Sequence, residues 1–362
     1  MLSNKLRMIE SVSYTTFVLL ALLWFPTLET MACLSLLSNL GINVYAMVTC
    51  LYRMEGVAVS KCFFSREMVK EIFSFSLYHF MIQVSGLIYM KVDTLIIQAF
   101  LTLADVSLYT VASRISEKAA TFCRQLVNAL TPMIAELQGA GDESNIRVIW
   151  VKGSKLSVAM AVPLLVGLVW FTEDLLVVWM GEEFRNAALP CRILILTMLS
   201  SVIHANSASV LSMTGHQKFL AFSFFGGQMF NLALTIVFIR IWGLKGVAYA
   251  TLIANLLVDV LFVQRRASSV YSVSLIRFYG KSVCPSLPAC ALMLGGIWLS
   301  EWTIAPTSLL RIAILEAMGC AIFAAGFWLL GMTIREREYY RSRILKFFRR
   351  KTENEAEKTE KG

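Results

Sequence analysis

The feature that most restricts this chain is a series of ten apolar stretches, at roughly 11–28, 31–52, 74–100, 105–134, 155–172, 188–212, 218–240, 245–264, 280–300 and 309–333. A helix needs about 20 apolar residues to cross about 30 Å of hydrocarbon, and these stretches meet that length. Composition agrees. The chain is 57% hydrophobic and 16% charged, with mean hydropathy +0.66, outside the usual range for soluble domains. The expected class is an all-α polytopic membrane protein of about ten transmembrane helices. The first stretch follows Lys5 and Arg7 as a secretory signal would, but no A-x-A cleavage pattern follows and a second stretch begins almost at once, so it is expected to stay as a span.

The net charge of +9 would suggest nucleic acid in a soluble protein. Here the basic residues lie between and after the apolar runs, as membrane topology requires, so no nucleic-acid partner is expected. Alternate connections hold Lys5 and Arg7; Arg53, Lys61, Arg66 and Lys70; Arg147, Lys152 and Lys155; Lys218; Arg265, Arg266, Arg277 and Lys281; and a basic tail from Arg335. The opposite connections hold only Arg185, Arg192, Lys245 and Arg311. Positive charge favours the cytoplasmic side, which puts both termini in the cytoplasm. In the tail, Tyr339, Tyr340, Phe347 and Phe348 among arginines suit either a helix on an anionic leaflet or a solvated stop-transfer segment, and residues after about Lys351 read as disordered.

Charge within the apolar runs is concentrated between Lys91 and Pro132. On a helix from Asp105, the residues Arg114, Glu117, Lys118, Thr121, Gln125 and Asn128 recur at helical spacing and share one face. A charge at mid-bilayer costs about 2.5–3.5 kcal/mol on the insertion scale, so such a stripe faces a watery cavity or pairs internally. Two alternatives stay open: a cavity wall that contacts an anionic substrate, or a locally neutralised pair of Glu117 with Arg114 or Lys118. Asp93 and Lys91 lie two apart on the preceding helix and point to different sides. Asp93 is a candidate partner for a basic residue on the next helix, and Lys91 a candidate to snorkel to the interface.

Later spans add His204, Asn206, Ser207, Gln228, Asn231 and Asp259. His204 is more often a satisfied bundle residue than a proton carrier. Asn206 with Gln228 would either bind sugar hydroxyls or glue two helices, and Asp259 is expected to meet water or Arg265 and Arg266. Gly243, Gly246, Ala248, Ala250 and Ala254 suit close helix packing. Gly226 with Gly227, and Pro132, Pro163 and Pro190, mark places where helices could bend. Eight cysteines stand singly with no C-x-x-C pair and no nearby histidine at ligand spacing, so neither metal nor cofactor is expected. The chain has no glycine-rich phosphate loop, no H-E-x-x-H, no nucleophile elbow and no long connection, which argues against an enzyme.

Several runs carry a family resemblance. VDTLIIQAFLTLADVSLYTVASRI has an aspartate, an apolar run, a short turn around Leu103 to Asp105, then a tyrosine and small residues before a basic one: Asp93, Tyr109, Ala112 and Arg114. DLLVVWMGEEFRNAALPCRILIL from Asp174, SMTGHQKFLAF and IWGLKGVAYATLIANLL follow in order. Together, over about residues 72–266, they resemble polysaccharide biosynthesis membrane proteins, the oligosaccharide flippases of the multidrug/oligosaccharidyl-lipid/polysaccharide exporter superfamily. That resemblance implies two six-helix lobes around a cationic cavity, often followed by two extra helices, moving a lipid-linked sugar between leaflets by alternating access.

Mapped onto that plan, residues 1–56 would be two remaining helices of a first lobe, 57–73 a cytoplasmic linker, 74–266 a complete six-helix lobe, 278–333 two extra spans and 334–362 the basic tail. About four N-terminal helices of the plan are missing, so a neighbouring polypeptide or a longer start would supply the opposite cavity wall. The implied partner is a lipid-linked oligosaccharide of the polyprenyl diphosphate type in the bacterial inner membrane, together with membrane lipids and polysaccharide assembly proteins. Candidate substrate contacts are Arg114, Lys118, Arg124, Gln125, Asn128, Asn206 and Gln228, with Asp93 and Glu117 as charge or coupling partners. A cation-coupled multidrug exporter of the same superfamily, for which the membrane carboxylates are few, and a truncated remnant that does not transport are the competing expectations.

Overall fold

A computed structural model describes Thr16, Val18 and residues 27–53, 65–302, 307–338, 341 and 342. The expected first span, with Lys5 and Arg7, lies almost wholly outside the described residues, as do Lys61 and the aromatic and acidic parts of the tail. The chain forms two compact units, residues 1–73 and 74–362. Among the described residues there is no strand, and seven helices are long and apolar enough to cross a membrane. The protein is an all-helical, multi-pass membrane protein.

In the first unit, helix α1 (Leu28–Arg53) is opened by Thr27, whose Oγ1 accepts the Thr30 N–H at 3.3 Å. Its Leu36, Leu37, Leu40, Val44 and Met47 are exposed, as a lipid-facing helix requires.

Helix α2 (Arg66–Phe100) leads into the second unit, followed by α3 (Leu103–Cys123) and α4 (Gln125–Gly139). The turn after α2 is tighter than expected, because Thr102 and Asp105 form a reciprocal capping box that starts α3 at Leu103. The single span expected over 105–134 is instead two helices divided at Arg124. Its N–H still reaches Ala120 O, and α4 then restarts with the Asn128 N–H on Arg124 O at 3.0 Å. Neither piece is long and apolar enough to be a span by itself: α3 carries Asp105, Arg114, Glu117 and Lys118, and α4 has 15 residues. Pro132 lies inside α4, which continues through it.

Helix α5 (Glu143–Met180) has 38 residues, opposite the expected span of 155–172. At 1.5 Å per residue it is about 57 Å long, so its first turns, with Arg147 and Lys152, project well beyond the hydrocarbon. A short 3₁₀ turn, Glu182–Ala187, leads to α6 (Ala188–Met213), then α7 (Gln217–Trp242) and α8 (Leu244–Val270). The last helices are α9 (Leu275–Ser282), α10 (Leu287–Glu301) and α11 (Leu309–Gly331).

Lipid tails are as apolar as leucine, so helices in a membrane associate through close contact and interhelical hydrogen bonds rather than hydrophobic gain. Both devices are present. Gly243 takes φ +57° between α7 and α8, and a Cβ on Gly246 would lie 2.2 Å from Phe238 O, so the hairpin closes only around glycine. Ala248, Ala250 and Ala254 are fully buried beside it. Of the Gly226–Gly227 pair, Gly227 lets α7 touch Val258 of α8, and the helix runs through both without a break.

The hydrogen bonds centre on α6. Trp150 Nε1 donates to Ser207 Oγ at 2.9 Å and Ser207 Oγ donates to Gln264 Oε1 at 2.7 Å, tying α5, α6 and α8. Trp150 also stacks on Phe278 of α9, centroids 5.0 Å apart. The two last spans pack on α5 in the same unit, where Val158 and Phe171 meet Met293, Ile297, Leu315 and Phe323.

Candidate functional site

Two kinds of polar cluster lie in the second unit. One is closed. Asp93 of α2 is buried, and its Oδ2 accepts from Tyr109 Oη of α3 at 2.7 Å and from Thr251 Oγ1 of α8 at 3.0 Å. The expected basic partner for Asp93 is therefore replaced by two hydroxyls, and the carboxylate fastens three helices. Tyr109 reaches it because the capping box folds α3 directly back along α2. On α3, the buried face is Tyr109, Ala112, Ser116, Ala120 and Cys123.

The other cluster is open. A cavity of about 440 Å³ is walled by α2, the α3–α4 break, α6, α7 and α8. Arg124, Asn128 and Gln228 line it, with Gln83, Asn255 and Asp259. The break at Arg124 sets the guanidinium at this wall and leaves Asn128 one turn further along. Gln228 Oε1 is buried with no hydrogen-bond partner among the described residues. An unmatched buried acceptor costs about 1–3 kcal/mol unless something fills it, so this wall is suited to a donor from outside the chain.

Among the described residues Asp259 forms no ion pair with Arg265 or Arg266, the basic partners expected for it. It is buried in this wall because the backbone of α8 widens to π-helical bonding over Leu257–Gln264, a distortion frequent at functional sites. Ser200 Oγ donates to Asp259 Oδ2 at 3.1 Å, and His204 Nδ1 stands 4.0 Å from the same oxygen. His204 Nδ1 must donate to Ser200 O at 2.8 Å, since a carbonyl only accepts. Its Nε2 pairs with Tyr279 Oη at 2.7 Å, so both ring nitrogens of His204 have partners within the bundle. Arg266 lies over the Phe219 ring instead, 5.6 Å from its centroid.

The remaining expected residues divide. Arg114 and Glu117 line a neighbouring hollow of about 370 Å³ with Lys91, and approach each other at 3.8 Å. Both Glu117 and Ser113 also border the small gap above Asp93, and Tyr89 borders that gap and the large cavity, so the hollows run on from one another along the α2–α3 pair. Lys118 and Gln125 are exposed on the unpacked face, with Gln125 Nε2 donating to Thr121 O at 3.4 Å. Asn206 does not join Gln228. It is buried against α5, donating to Ser157 Oγ at 2.9 Å, because half a helical turn separates it from the cavity-lining Ala205 and Ala208 face. Gln83, Tyr89 and Asn255 also line this cavity without having been expected there; their polar side chains inside apolar runs were the available signal.

Comparison with known proteins places the chain. A probable low-salt glycan biosynthesis flippase, Agl15, of Haloferax volcanii is 22% identical over 205 residues, covering 57% of this chain and 43% of that protein. A probable flippase, AglR, of the same organism is 23% identical over 212 residues, 58% of this chain and 44% of that protein. The match thus spans less than half the length of these curated relatives. Among solved structures, a lipid II flippase, MurJ, in an inward closed conformation aligns with TM-score 0.59 and 18% identity, over 83% of this chain and 61% of that chain, a likeness of fold. The family described as polysaccharide biosynthesis protein matches residues 3–189, just over half of the 362. The chain belongs to the polysaccharide biosynthesis protein family.

Proposed function

We propose that this chain flips a lipid-linked oligosaccharide of the polyprenyl diphosphate type across the bacterial inner membrane, by alternating access, for synthesis of a surface polysaccharide. The observation that carries the proposal is the open cavity in which the Arg124 guanidinium, the Asn128 amide and the unpartnered Gln228 carbonyl share one wall. A guanidinium presents a planar fork of donors that suits paired hydrogen bonds to phosphate oxygens. Gln228 Oε1 is an acceptor, so a sugar hydroxyl supplies what it lacks. The prenyl chain stays in lipid, outside a cavity of this size. Arg114 and Lys118, exposed on the same helix pair, extend the positive surface along which a diphosphate would approach. Membership of the polysaccharide biosynthesis family and the flippase names of the Haloferax relatives support the same substrate class. Both termini are proposed to be cytoplasmic, with lipids, assembly proteins and any polypeptide that adds further helices as partners.

A cation-coupled exporter would require carboxylates free to take up a cation. Asp93 is engaged by two hydroxyls, Asp259 by Ser200, and Glu117 stands 3.8 Å from the Arg114 guanidinium, which makes this reading the weaker one.

The test is complementation in the native host after deletion of the gene. Wild type should restore surface polymer, while Arg124→Gln should reduce it at least tenfold and raise the pool of lipid-linked oligosaccharide at unchanged protein level. Full restoration by Arg124→Gln would refute the assignment of this cavity.

A further inference from the structure

A second hollow, of about 510 Å³, lies away from the Arg124 cavity and shares no lining residue with it. Three segments far apart in sequence build it: the projecting first turns of α5, the amphipathic α9, and the residues that follow α11. On α5 the residues Arg147, Val148, Val151, Lys152 and Lys155 recur at helical spacing, so all of them reach the same hollow. From α9 come Arg277 and Lys281, one turn apart.

The charges do not balance. Five cations face one carboxylate, Glu336, which takes Lys155 Nζ at 2.7 Å. Among the described residues, Arg147, Lys152, Arg277 and Lys281 have no carboxylate within 4.0 Å. Lys155 is itself nine-tenths buried, also lies 5.8 Å from the Phe327 centroid, and has been taken out of water to stand in this wall. Gathering like charges and desolvating one of them is unfavourable without a counter-ion. Glu336 meets the buried Lys155, and the exposed Arg147, Lys152, Arg277 and Lys281 keep four positive charges around the hollow.

We infer that this hollow is a second anion site, where Arg147, Lys152, Lys155, Arg277 and Lys281 hold a phosphate-bearing group at the basic end of the bundle. Arginines offer paired donors to phosphate oxygens and the lysines point charges. The volume falls within the range of ligand pockets and suits a diphosphate or a phospholipid headgroup better than a single small ion. The lining is also partly apolar, with Val148, Val151, Val273 and Pro285, and Ile276 is exposed beside it on α9. That mixture suits a headgroup whose glycerol rests on the apolar wall, whereas free diphosphate would use the cations alone. The site stands independently of the function proposed above.

The test uses the full chain, purified in detergent and in nanodiscs. One arm titrates inorganic pyrophosphate and follows the thermal midpoint. The other compares nanodiscs of phosphatidylglycerol with phosphatidylcholine and counts retained lipid by native mass spectrometry. A midpoint rise with pyrophosphate identifies a free anion, and retention of phosphatidylglycerol alone identifies a headgroup; either supports the site. In both, the combined variant Arg147→Gln, Lys152→Gln, Arg277→Gln and Lys281→Gln should bind at least tenfold more weakly, with its unliganded midpoint unchanged, and Arg240→Gln, a basic residue that lines neither cavity, should bind as wild type. Glu336→Gln should bind several-fold more tightly, because it frees the Lys155 ammonium. No binding in either arm, equal binding by the combined variant, or an equal loss of binding in Arg240→Gln would overturn the inference.

Discussion

Asp93 and Gln228 are both polar residues set deep in apolar helices, and they do opposite things. Around Asp93 the protein has supplied partners of its own: two hydroxyls from two other helices converge on one carboxylate oxygen. Around Gln228 it has left a carbonyl without one and opened a cavity beside it. In a membrane a polar side chain is expensive unless paired, and the identity of the partner separates glue from site. A partner within the protein fastens helices; a missing one beside an open cavity, as at Gln228, leaves room for a group from outside.

This contrast gives different outcomes for stability and activity. The largest expected loss of stability is at the closed cluster. Asp93→Ala leaves Tyr109 Oη as a buried donor, at about 1–3 kcal/mol, while Thr251 Oγ1 keeps Val247 O at 3.0 Å, so it should lower the thermal midpoint in detergent more than Thr251→Val does. If Asp93→Ala melts like wild type, the three-helix fastening is wrong. Next comes the close contact of α7 with α8, where Gly246→Val must displace the Phe238 carbonyl at a cost of about 1–3 kcal/mol, visible as an earlier melting transition.

A smaller effect is expected at the Lys155–Glu336 pair. Burial works to raise the Glu336 pKa, and hydrogen bonds from Lys155 and from the Thr333 N–H outweigh it, holding the carboxyl below its usual value of 4.5. A depressed acid stabilises the fold above its unfolded pKa and loses that contribution as pH falls through the folded one. Thermal midpoints should therefore hold from neutral pH to about 4.5 and fall below it, by an amount worth about 1 kcal/mol or less for a partly exposed pair. Glu336→Gln should flatten that fall; a persisting fall would mean that other carboxylates cause it.

The smallest stability effect belongs to the open cluster. Arg124→Gln should change folding by less than about 0.5 kcal/mol, since the residue is exposed and lines the cavity, while polymer export falls steeply.

Much of this was readable in advance, and the failures have physical causes. Ten long apolar runs dictated helices, because lipid leaves the backbone no other way to satisfy itself. The family-like positions Asp93 and Tyr109 proved to be bonded to each other, close in sequence across a capped turn. Thr251, 158 residues from Asp93, had no local mark. The break at Arg124 has neither proline nor glycine to announce it, and no local feature explains it. The π-helical widening of α8 turned Asp259 from an expected surface charge into a cavity wall. Asn206 was grouped with Gln228 by residue type, yet helical phase turned it towards Ser157.

The most direct measurement is the affinity of the purified full chain, in nanodiscs, for a radiolabelled polyprenyl diphosphate oligosaccharide, compared among wild type, Arg124→Gln and Thr251→Val at equal folded fraction. The expected result is at least tenfold weaker binding for Arg124→Gln and unchanged binding for Thr251→Val. Equal affinity in Arg124→Gln, or a loss confined to Thr251→Val, would contradict the division between a cavity that binds and a cluster that only fastens helices.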